Sequence, residues 1–175
     1  MAPNGAVEAM RQLQGDGLIG HLGVAGGPID LLRRYVATGV FEAVITHNRF
    51  TLLDRSAEPL LHDCAAAGVA VVNGAPSGGG MLAKGPDVTD RYFYRPAPPE
   101  IIEAAKRIQK VCSQHEVPLA AAALQFSMRD PRITSTIVGI TKPDRVDQTI
   151  QLAEYPIPEL LWQQLSPAPK AVWLS

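Results

Sequence analysis

The sequence lacks an excess of charge of either sign. Its 175 residues carry 16 Lys and Arg against 17 Asp and Glu, a formal net charge of -1 at pH 7. Because the basic residues are scattered, the chain offers no electrostatic footprint for nucleic acid or an anionic membrane. It also has no apolar run of membrane-spanning length and no secretion leader at its start. We therefore expect a cytoplasmic protein that binds neither nucleic acid nor membrane.

Cysteine is equally scarce. Cys64 and Cys112 are the two in the chain, and both fall on the apolar sides of predicted helices. Buried thiols are therefore expected rather than a disulfide. No Cys or His pair has the spacing of zinc ligands, and no Ser-His-Asp or Cys-His arrangement suggests an activated nucleophile. The sequence therefore predicts neither a metal site nor a nucleophilic centre.

Apolar residues are abundant, at 46% of the chain, which is enough to form the core of one domain spanning residues 1–175. Short apolar strands alternate with amphipathic helices along it. The strands are predicted at 18–24, 41–46, 69–72 and 134–138, and the helices at 6–14, 31–36, 57–67, 99–112, 119–128, around 146–150 and within 157–165. This alternation predicts the α/β class with parallel strands and right-handed crossovers. Periodicity alone leaves open a doubly wound sheet or part of a (β/α)₈ barrel.

Two connections stand out from this pattern. The strand at 69–72 runs into a loop that contains Gly74, Gly78, Gly79 and Gly80. A glycine-rich loop at a strand end lets the main chain approach a phosphate or a flat cofactor ring, and a mobile loop without a ligand is the alternative. The connection at 83–98 is too long for a tight turn and is predicted to be a lid or surface loop. No G-x-G-x-x-G follows the first strand, which argues against a Rossmann unit.

Several ordered motifs resemble the second half of an aldo-keto reductase. They are Gly23-Val24-Ala25-Gly26, the run Asn48-Arg49-Phe50-Thr51-Leu52-Leu53-Asp54, the segment 68–73 with Pro76 and Gly80-Met81-Leu82, and the segments 118–126, 135–139 and 143–146. The version of the run at 48–54 resembles the sugar-oxidising branch, the L-fucose or D-threo-aldose 1-dehydrogenases. The resemblance implies a (β/α)₈ barrel of which this chain forms a parallel half-barrel, strands five to eight.

The resemblance also implies a reaction. In that family a hydride passes between NAD or NADP and a carbonyl substrate, here an aldehyde or the C1 of a sugar, while a tyrosine transfers the proton. The family's catalytic Asp, Tyr, Lys and His come from the first four strands, so the resemblance gives this chain no catalytic residue. We therefore expect it to be inactive alone. The alternative is a non-catalytic nucleotide-binding or interaction module derived from the same fold.

The cofactor-binding residues are assigned by the same resemblance. The loop along the pyrophosphate is matched by Asn73, Pro76, Gly80 and Leu82. Near the nicotinamide, Gly74 replaces a ring-stacking aromatic and His47 replaces a glutamine. The exit of strand eight is formed by Gly139, Thr141 and Lys142, with Arg145 near the adenosine phosphate and Gln148 beside the adenine. Helix N-termini at that exit commonly hold phosphate. For Lys142, Arg145 and Gln148 the alternative is a solvated helix turn, and for His47 it is a structural role.

Half a barrel would leave its outer strands and its inner face uncovered. Open strand edges present unpaired backbone groups, and the inner face of a barrel normally buries branched side chains. We therefore expect a homo-oligomer, or docking with a separate N-terminal half, to cover these surfaces.

Overall fold

The computed structural model describes residues 5–165, so the single-domain prediction for 1–175 is examined over that part only. The described residues form eight α-helices and six β-strands. In chain order they are α1 (Ala6–Gly15), β1 (Gly23–Ala25), α2 (Ile29–Val36), β2 (Ala43–His47), α3 (Glu58–Ala67), β3 (Ala70–Gly74), α4 (Met81–Lys84), β4 (Arg91–Tyr92), β5 (Arg95–Pro96), α5 (Pro99–Gln114), α6 (Leu119–Met128), β6 (Ser135–Ile137), α7 (Asp144–Ala153) and α8 (Glu159–Gln164).

Four of these strands form one parallel sheet in the order β1-β2-β3-β6. The register places Ile45 beside Ala25 on one side and beside Val72 on the other, and Val72 beside Ser135. The four strands therefore follow chain order across the sheet, and the prediction of a parallel α/β fold is confirmed.

The two faces of this sheet differ in their surroundings. Val44, Thr46, Val71 and Asn73 point to one face and are fully buried. On the other face, Ile45 is 38% exposed and Ile137 is 48% exposed. Helices cover both faces of a doubly wound sheet, whereas in a barrel they surround the outside only. The bare face thus separates the two architectures that periodicity left open and favours a partial barrel.

The strands are shorter than predicted or begin later. The strand expected at 18–24 is reduced to Gly23–Ala25, and Leu18 is 72% exposed. β1 lies at the edge of the sheet and pairs only with β2, so its strand length is limited by the register that begins at Gly23 and Ala43. The strand expected at 69–72 continues to Gly74 because β2, itself ending at His47, pairs with it that far.

The segment 83–98 is not a plain loop. It begins with the end of α4 and contains a hairpin in which β4 and β5 pair antiparallel. Tyr92 in this hairpin is fully buried, and its hydroxyl bonds that of Thr51 at 2.8 Å and donates to the carbonyl of Asn48 at 3.3 Å. The apolar ring and the two polar contacts anchor the segment to the loop that follows β2.

The tyrosine ring lies against the glycine-rich turn. A Cβ on Gly78, whose φ is +62°, would lie 2.1 Å from Cε2 of Tyr92. The Phe93 amide donates to the Gly78 carbonyl at 3.4 Å, and a Cβ on Gly79 would lie 3.3 Å from the amide nitrogen of Tyr94. The absence of side chains at Gly78 and Gly79 therefore lets the hairpin pack against the main chain of this turn. The sequence had suggested that these glycines make room for a phosphate.

The run 48–54 folds into a compact loop between β2 and α3. The Thr51 hydroxyl accepts the amide protons of Leu53 at 3.1 Å and Asp54 at 3.0 Å. Asp54 is fully buried, and its Oδ1 accepts the Ser56 amide at 2.7 Å. Burial raises the pKa of Asp54 above its ordinary value.

Two expectations from composition can be compared with the described residues. Cys64 and Cys112 are buried and free, as predicted, and burial raises the pKa of each thiol to about 11. Among residues 5–165, no helix combines the length and the apolar character needed to cross a membrane.

We predict that Gly78→Ala destabilises the fold by more than Gly39→Ala. Both glycines have a positive φ, +62° and +66°, but a Cβ on Gly39 meets nothing within 4 Å. Gly39→Ala should therefore cost only left-handed strain, about 1–2 kcal/mol, whereas Gly78→Ala adds overpacking against Tyr92, about 1–3 kcal/mol more. Urea unfolding followed by circular dichroism measures both variants. An equal decrease in the free energy of unfolding for the two variants would show that the packing of Tyr92 does not require glycine at position 78.

We predict that Asp54→Asn changes how stability depends on pH. The folded pKa of Asp54 is raised, so its proton stabilises the fold below the unfolded pKa, near 3.8, and that contribution is lost as the pH rises through the folded pKa. The free energy of unfolding of Asp54→Asn, relative to wild type, should therefore increase across this window. Urea titrations from pH 3.5 to 7 measure it, with the exposed Asp16→Asn as control. A constant difference at every pH would contradict the assignment.

Candidate functional site

A cavity of about 150 Å³ opens where the loop after β3 meets the end of β6. It lies at the carboxyl edge of the sheet, where parallel α/β folds place their ligand sites. The lining residues come from the β3 loop, α4, α6, the end of β6 and α7; they are Ala75, Pro76, Ser77, Ala83, Ala120, Leu124, Val138, Gly139, Thr149 and Leu152. The wall is therefore made largely of small and apolar side chains, with main chain exposed between them.

Two of the residues predicted from the sequence meet in this cavity. Pro76 contributes from the β3 loop and Gly139 from the exit of β6. A Cβ built on Gly139 would meet nothing within 4 Å, so the space beside its main chain is open. A ligand could therefore contact the backbone at Gly139 while lying beside Pro76.

α7 borders this cavity through Thr149 in its second turn, and the first turn lies next to it. Thr141, Lys142, Arg145 and Gln148 are all exposed there. No ion pair or hydrogen bond described within residues 5–165 involves the side chain of Lys142 or of Arg145, so both cations are available to an anion. Asp144 and Asp147 share the same turn and reduce its positive potential.

Two predicted residues have side chains that are committed elsewhere. Asn73 is fully buried, and its amide donates to the carbonyl of Phe50 at 2.9 Å and to the hydroxyl of Ser127 at 2.8 Å. Leu82 is fully buried in the cluster that also contains Tyr92. The Asn73 side chain therefore stabilises the sheet and the Leu82 side chain stabilises α4. Both residues occupy the sequence positions of the motif, but their side chains contact the protein.

The remaining glycines differ in their surroundings. Gly74 lies in β3 beside His47, where a Cβ would come within 3.4 Å of the histidine Cβ. Gly80 has φ +111° and open space around it, so its conformation rather than close packing requires glycine. Gly80 thus allows the sharp entry into α4, beside the cavity.

His47 ends β2 on the bare face of the sheet. Its ring stacks on Phe93, with centroids 5.8 Å apart and planes at 21°. The guanidinium carbon of Arg49 also lies 5.8 Å from the Phe93 centroid. The hairpin therefore fixes the histidine ring at the carboxyl edge, which is compatible with the predicted position beside a cofactor ring.

Three of the four tyrosines in the described part of the chain are buried or held by neighbouring residues, and the fourth is exposed. Tyr92 is buried, Tyr155 donates its hydroxyl to the carbonyl of Glu116 at 2.9 Å, and the Tyr35 ring packs edge-on against Phe41. Tyr94 is 64% exposed at the tip of the hairpin. Burial further raises the pKa of Tyr92, so this phenol is unsuited to proton transfer.

Sequence reasoning missed several residues at this edge. Thr149 faces the cavity, although its hydroxyl donates to the Arg145 carbonyl at 2.7 Å. Phe93 covers His47 from a segment expected to be a loop. Thr149 lies four residues after Arg145 and so shares its helix face, a signal that was available; nothing local in the sequence places Phe93 over β2.

Known proteins were compared with this chain by sequence and by fold, and both comparisons point to the same family. The chain is 30% identical over 165 residues to a D-threo-aldose 1-dehydrogenase of a Pseudomonas species, covering 93% of this chain and 50% of the relative. It is 28% identical over 162 residues to a pyridoxal 4-dehydrogenase of Microbacterium luteolum, covering 92% and 47%. The chain thus spans about half the length of these curated relatives.

The fold matches that of an aldo-keto reductase from Bacillus halodurans, solved in its holo form. The superposition has a TM-score of 0.73 at 21% identity, and it covers 97% of this chain and 57% of that one. The family model for aldo/keto reductases matches residues 4–167. Because that match takes in nearly the whole sequence, the chain belongs to the aldo/keto reductase family.

Proposed function

We propose that this chain is the cofactor-binding half of an NAD(P)-dependent aldo/keto reductase that transfers a hydride at an aldehyde or at the C1 of a sugar. The observation that carries the proposal is the cavity between the β3 loop and the exit of β6, at the carboxyl edge of a parallel sheet. The two relatives described above are both named as dehydrogenases, and one is an aldose 1-dehydrogenase.

In this proposal β1, β2, β3 and β6 correspond to strands five to eight of a (β/α)₈ barrel. Their parallel pairing in chain order and their single bare face support that correspondence. So does the length of the chain, which is about half that of its relatives. The first four repeats would then supply the rest of the barrel, from the same polypeptide or from a separate one.

The chemical groups at the carboxyl edge are of the types that bind a dinucleotide. Open main chain at Gly139 suits a pyrophosphate, and Lys142 and Arg145 can pair with a phosphate. The Gln148 amide can bond the edge of a base, and the His47 ring can orient the nicotinamide. When bound, the nicotinamide supplies or accepts the hydride. This chain's own part is to bind and orient it.

Proton transfer would fall to residues outside this sequence. The buried position of Tyr92 and the bonded hydroxyl of Tyr155 support that division, because neither phenol is free at the carboxyl edge. The Asp, Tyr, Lys and His expected by resemblance would come from the first four repeats. We therefore propose that the chain binds cofactor but does not turn over substrate until those repeats join it.

We predict that Gly139→Val weakens NAD(P) binding without destabilising the fold. A Cβ at 139 meets nothing within 4 Å in the protein and projects beside the cavity wall, so we expect the valine to clash with a ligand rather than with the fold. Calorimetry with NAD and with NADP should show at least a tenfold loss of affinity. Gly20→Val is the matched control, since its Cβ also meets nothing within 4 Å and Gly20 does not line the cavity.

The outcomes separate the two functions considered. No heat with either nucleotide at millimolar concentration for the wild-type chain would remove the cofactor-binding proposal. Binding that persists without turnover, even after the first four repeats of the Pseudomonas relative are supplied, would favour the non-catalytic nucleotide-binding module. Turnover of an aldose by the isolated chain would contradict the proposed absence of the catalytic groups.

We predict that a charge on the bare face prevents association. In this proposal a second copy or a complementary half covers Ile45 and Ile137, which are 38% and 48% exposed. Ile45→Lys and Ile137→Lys would place an unpaired ammonium in that interface and should shift sedimentation profiles to the monomer. Val88→Lys, at a position 72% exposed in the segment before the hairpin, is the control. A wild-type monomer at every dilution, without ANS binding, would contradict the covered-face proposal.

A further inference from the structure

Three arginines at one edge of the helical layer each lie over an aromatic ring. The distances from guanidinium carbon to ring centroid are 4.4 Å for Arg129 on Trp162, 5.9 Å for Arg132 on Phe50 and 4.9 Å for Arg55 on Phe126. A ring removes water from one face of a guanidinium and leaves its N–H edge available for a planar anion. Each of these arginines is therefore prepared to hold a carboxylate.

Two of the three do hold one. Arg129 donates to Glu159 at 3.0 Å. Arg132 donates to Asp130 at 2.6 Å and to Glu58 at 2.8 Å. In both cases the guanidinium that lies over a ring also forms an ion pair with an acidic side chain.

Arg55 has the ring but no carboxylate. Its Nε is buried without an acceptor, and no acidic side chain among residues 5–165 lies within ion-pair distance of it. Glu58, the acidic group that influences it electrostatically, is bonded to Arg132. This Nε is closed to solvent, so an external carboxylate would have to bond the guanidinium through its terminal nitrogens.

Space for such an acceptor lies directly beside it. A cavity of about 270 Å³ is bounded by Arg55 and Arg129 and by the rings of Phe50, Phe126 and Trp162. It shares no residue with the cavity at the carboxyl edge. Glu58 and Asp130 also line it, and each is bonded to Arg132. Arg55, for which the described residues supply no ion pair, is thus one of the two arginines that line this cavity.

We propose that this cavity binds a small carboxylate with an aromatic or apolar body. The carboxylate would accept hydrogen bonds from Arg55 in the bidentate geometry that a guanidinium favours. The body of the ligand would lie against the rings, which supply most of the apolar wall. A free aromatic acid and the carboxyl end of a peptide with an aromatic last residue offer the same chemistry.

The test uses Trp162 as a reporter. The chain has two tryptophans, so Trp173→Phe leaves only the one that lines the cavity. In that background, phenylacetate should give a saturable fluorescence change at millimolar concentration. Phenylacetamide has the same ring without the charge and should bind at least about tenfold more weakly. N-acetylphenylalanine and its amide repeat the comparison for a peptide end.

Variants of Arg55 complete the experiment. Arg55→Gln should weaken phenylacetate binding at least about tenfold, and Arg55→Lys, which keeps the charge but not the fork, should fall between it and wild type. Arg107→Gln, on the exposed face of α5, should leave binding unchanged. Equal binding of the acid and its amide, or an unchanged titration in a folded Arg55→Gln, would overturn the proposal. If Arg55→Gln fails to fold, Arg55→Lys and the acid–amide comparison decide. None of these measurements needs NAD(P).

Discussion

The contact between Tyr92 and Gly78 determines how the carboxyl edge of this chain is built. The ring fills the space that a side chain at 78 would occupy, and the hydroxyl bonds Thr51 and the Asn48 carbonyl. Three separate loops are thereby fixed relative to one another: the glycine turn before α4, the hairpin, and the loop after β2. Without that tyrosine the hairpin would keep its two short strands but lose its buried anchor, and Phe93 would no longer be held over His47. The candidate site therefore depends on a residue that does not line it.

The sheet shows a second asymmetry, between its buried and its bare face. Val44, Val71 and the amide of Asn73 are sealed against helices, whereas Ile45 and Ile137 remain exposed on the other side. Apolar side chains in such a row normally face a core, because each gains free energy by leaving water. The bare face therefore has the composition of an interior rather than of a surface. This agrees with a chain that spans half the length of its relatives and with a fold that matches about half of a solved aldo-keto reductase.

The α/β class and the order of the elements could be read from the sequence, because buried strands and amphipathic helices impose periods of 2 and 3.6 residues on side chains. Strand lengths could not, since the extent of a strand such as Gly23–Ala25 is set by its partner. At the site, Pro76 and Gly139 were predicted and do meet at one cavity. The side chains of Asn73 and Leu82 proved to be structural, because a motif shows which residues occur at a position but not which way each one points. The glycines at 78 and 79 were attributed to a phosphate, although a tyrosine fourteen residues after Gly78 accounts for the first of them.

The three arginines stacked on aromatic rings differ in one respect, because two of them form ion pairs within the chain and Arg55 does not. That difference is what indicates a binding site at Arg55. Arg129 and Arg132 each have a carboxylate partner within the chain. Arg55 repeats their stacking and lines the cavity with Arg129, but among the described residues it has no carboxylate partner. In our proposal a ligand carboxylate pairs with the exposed part of the Arg55 guanidinium, and no residue of the cofactor-binding edge takes part.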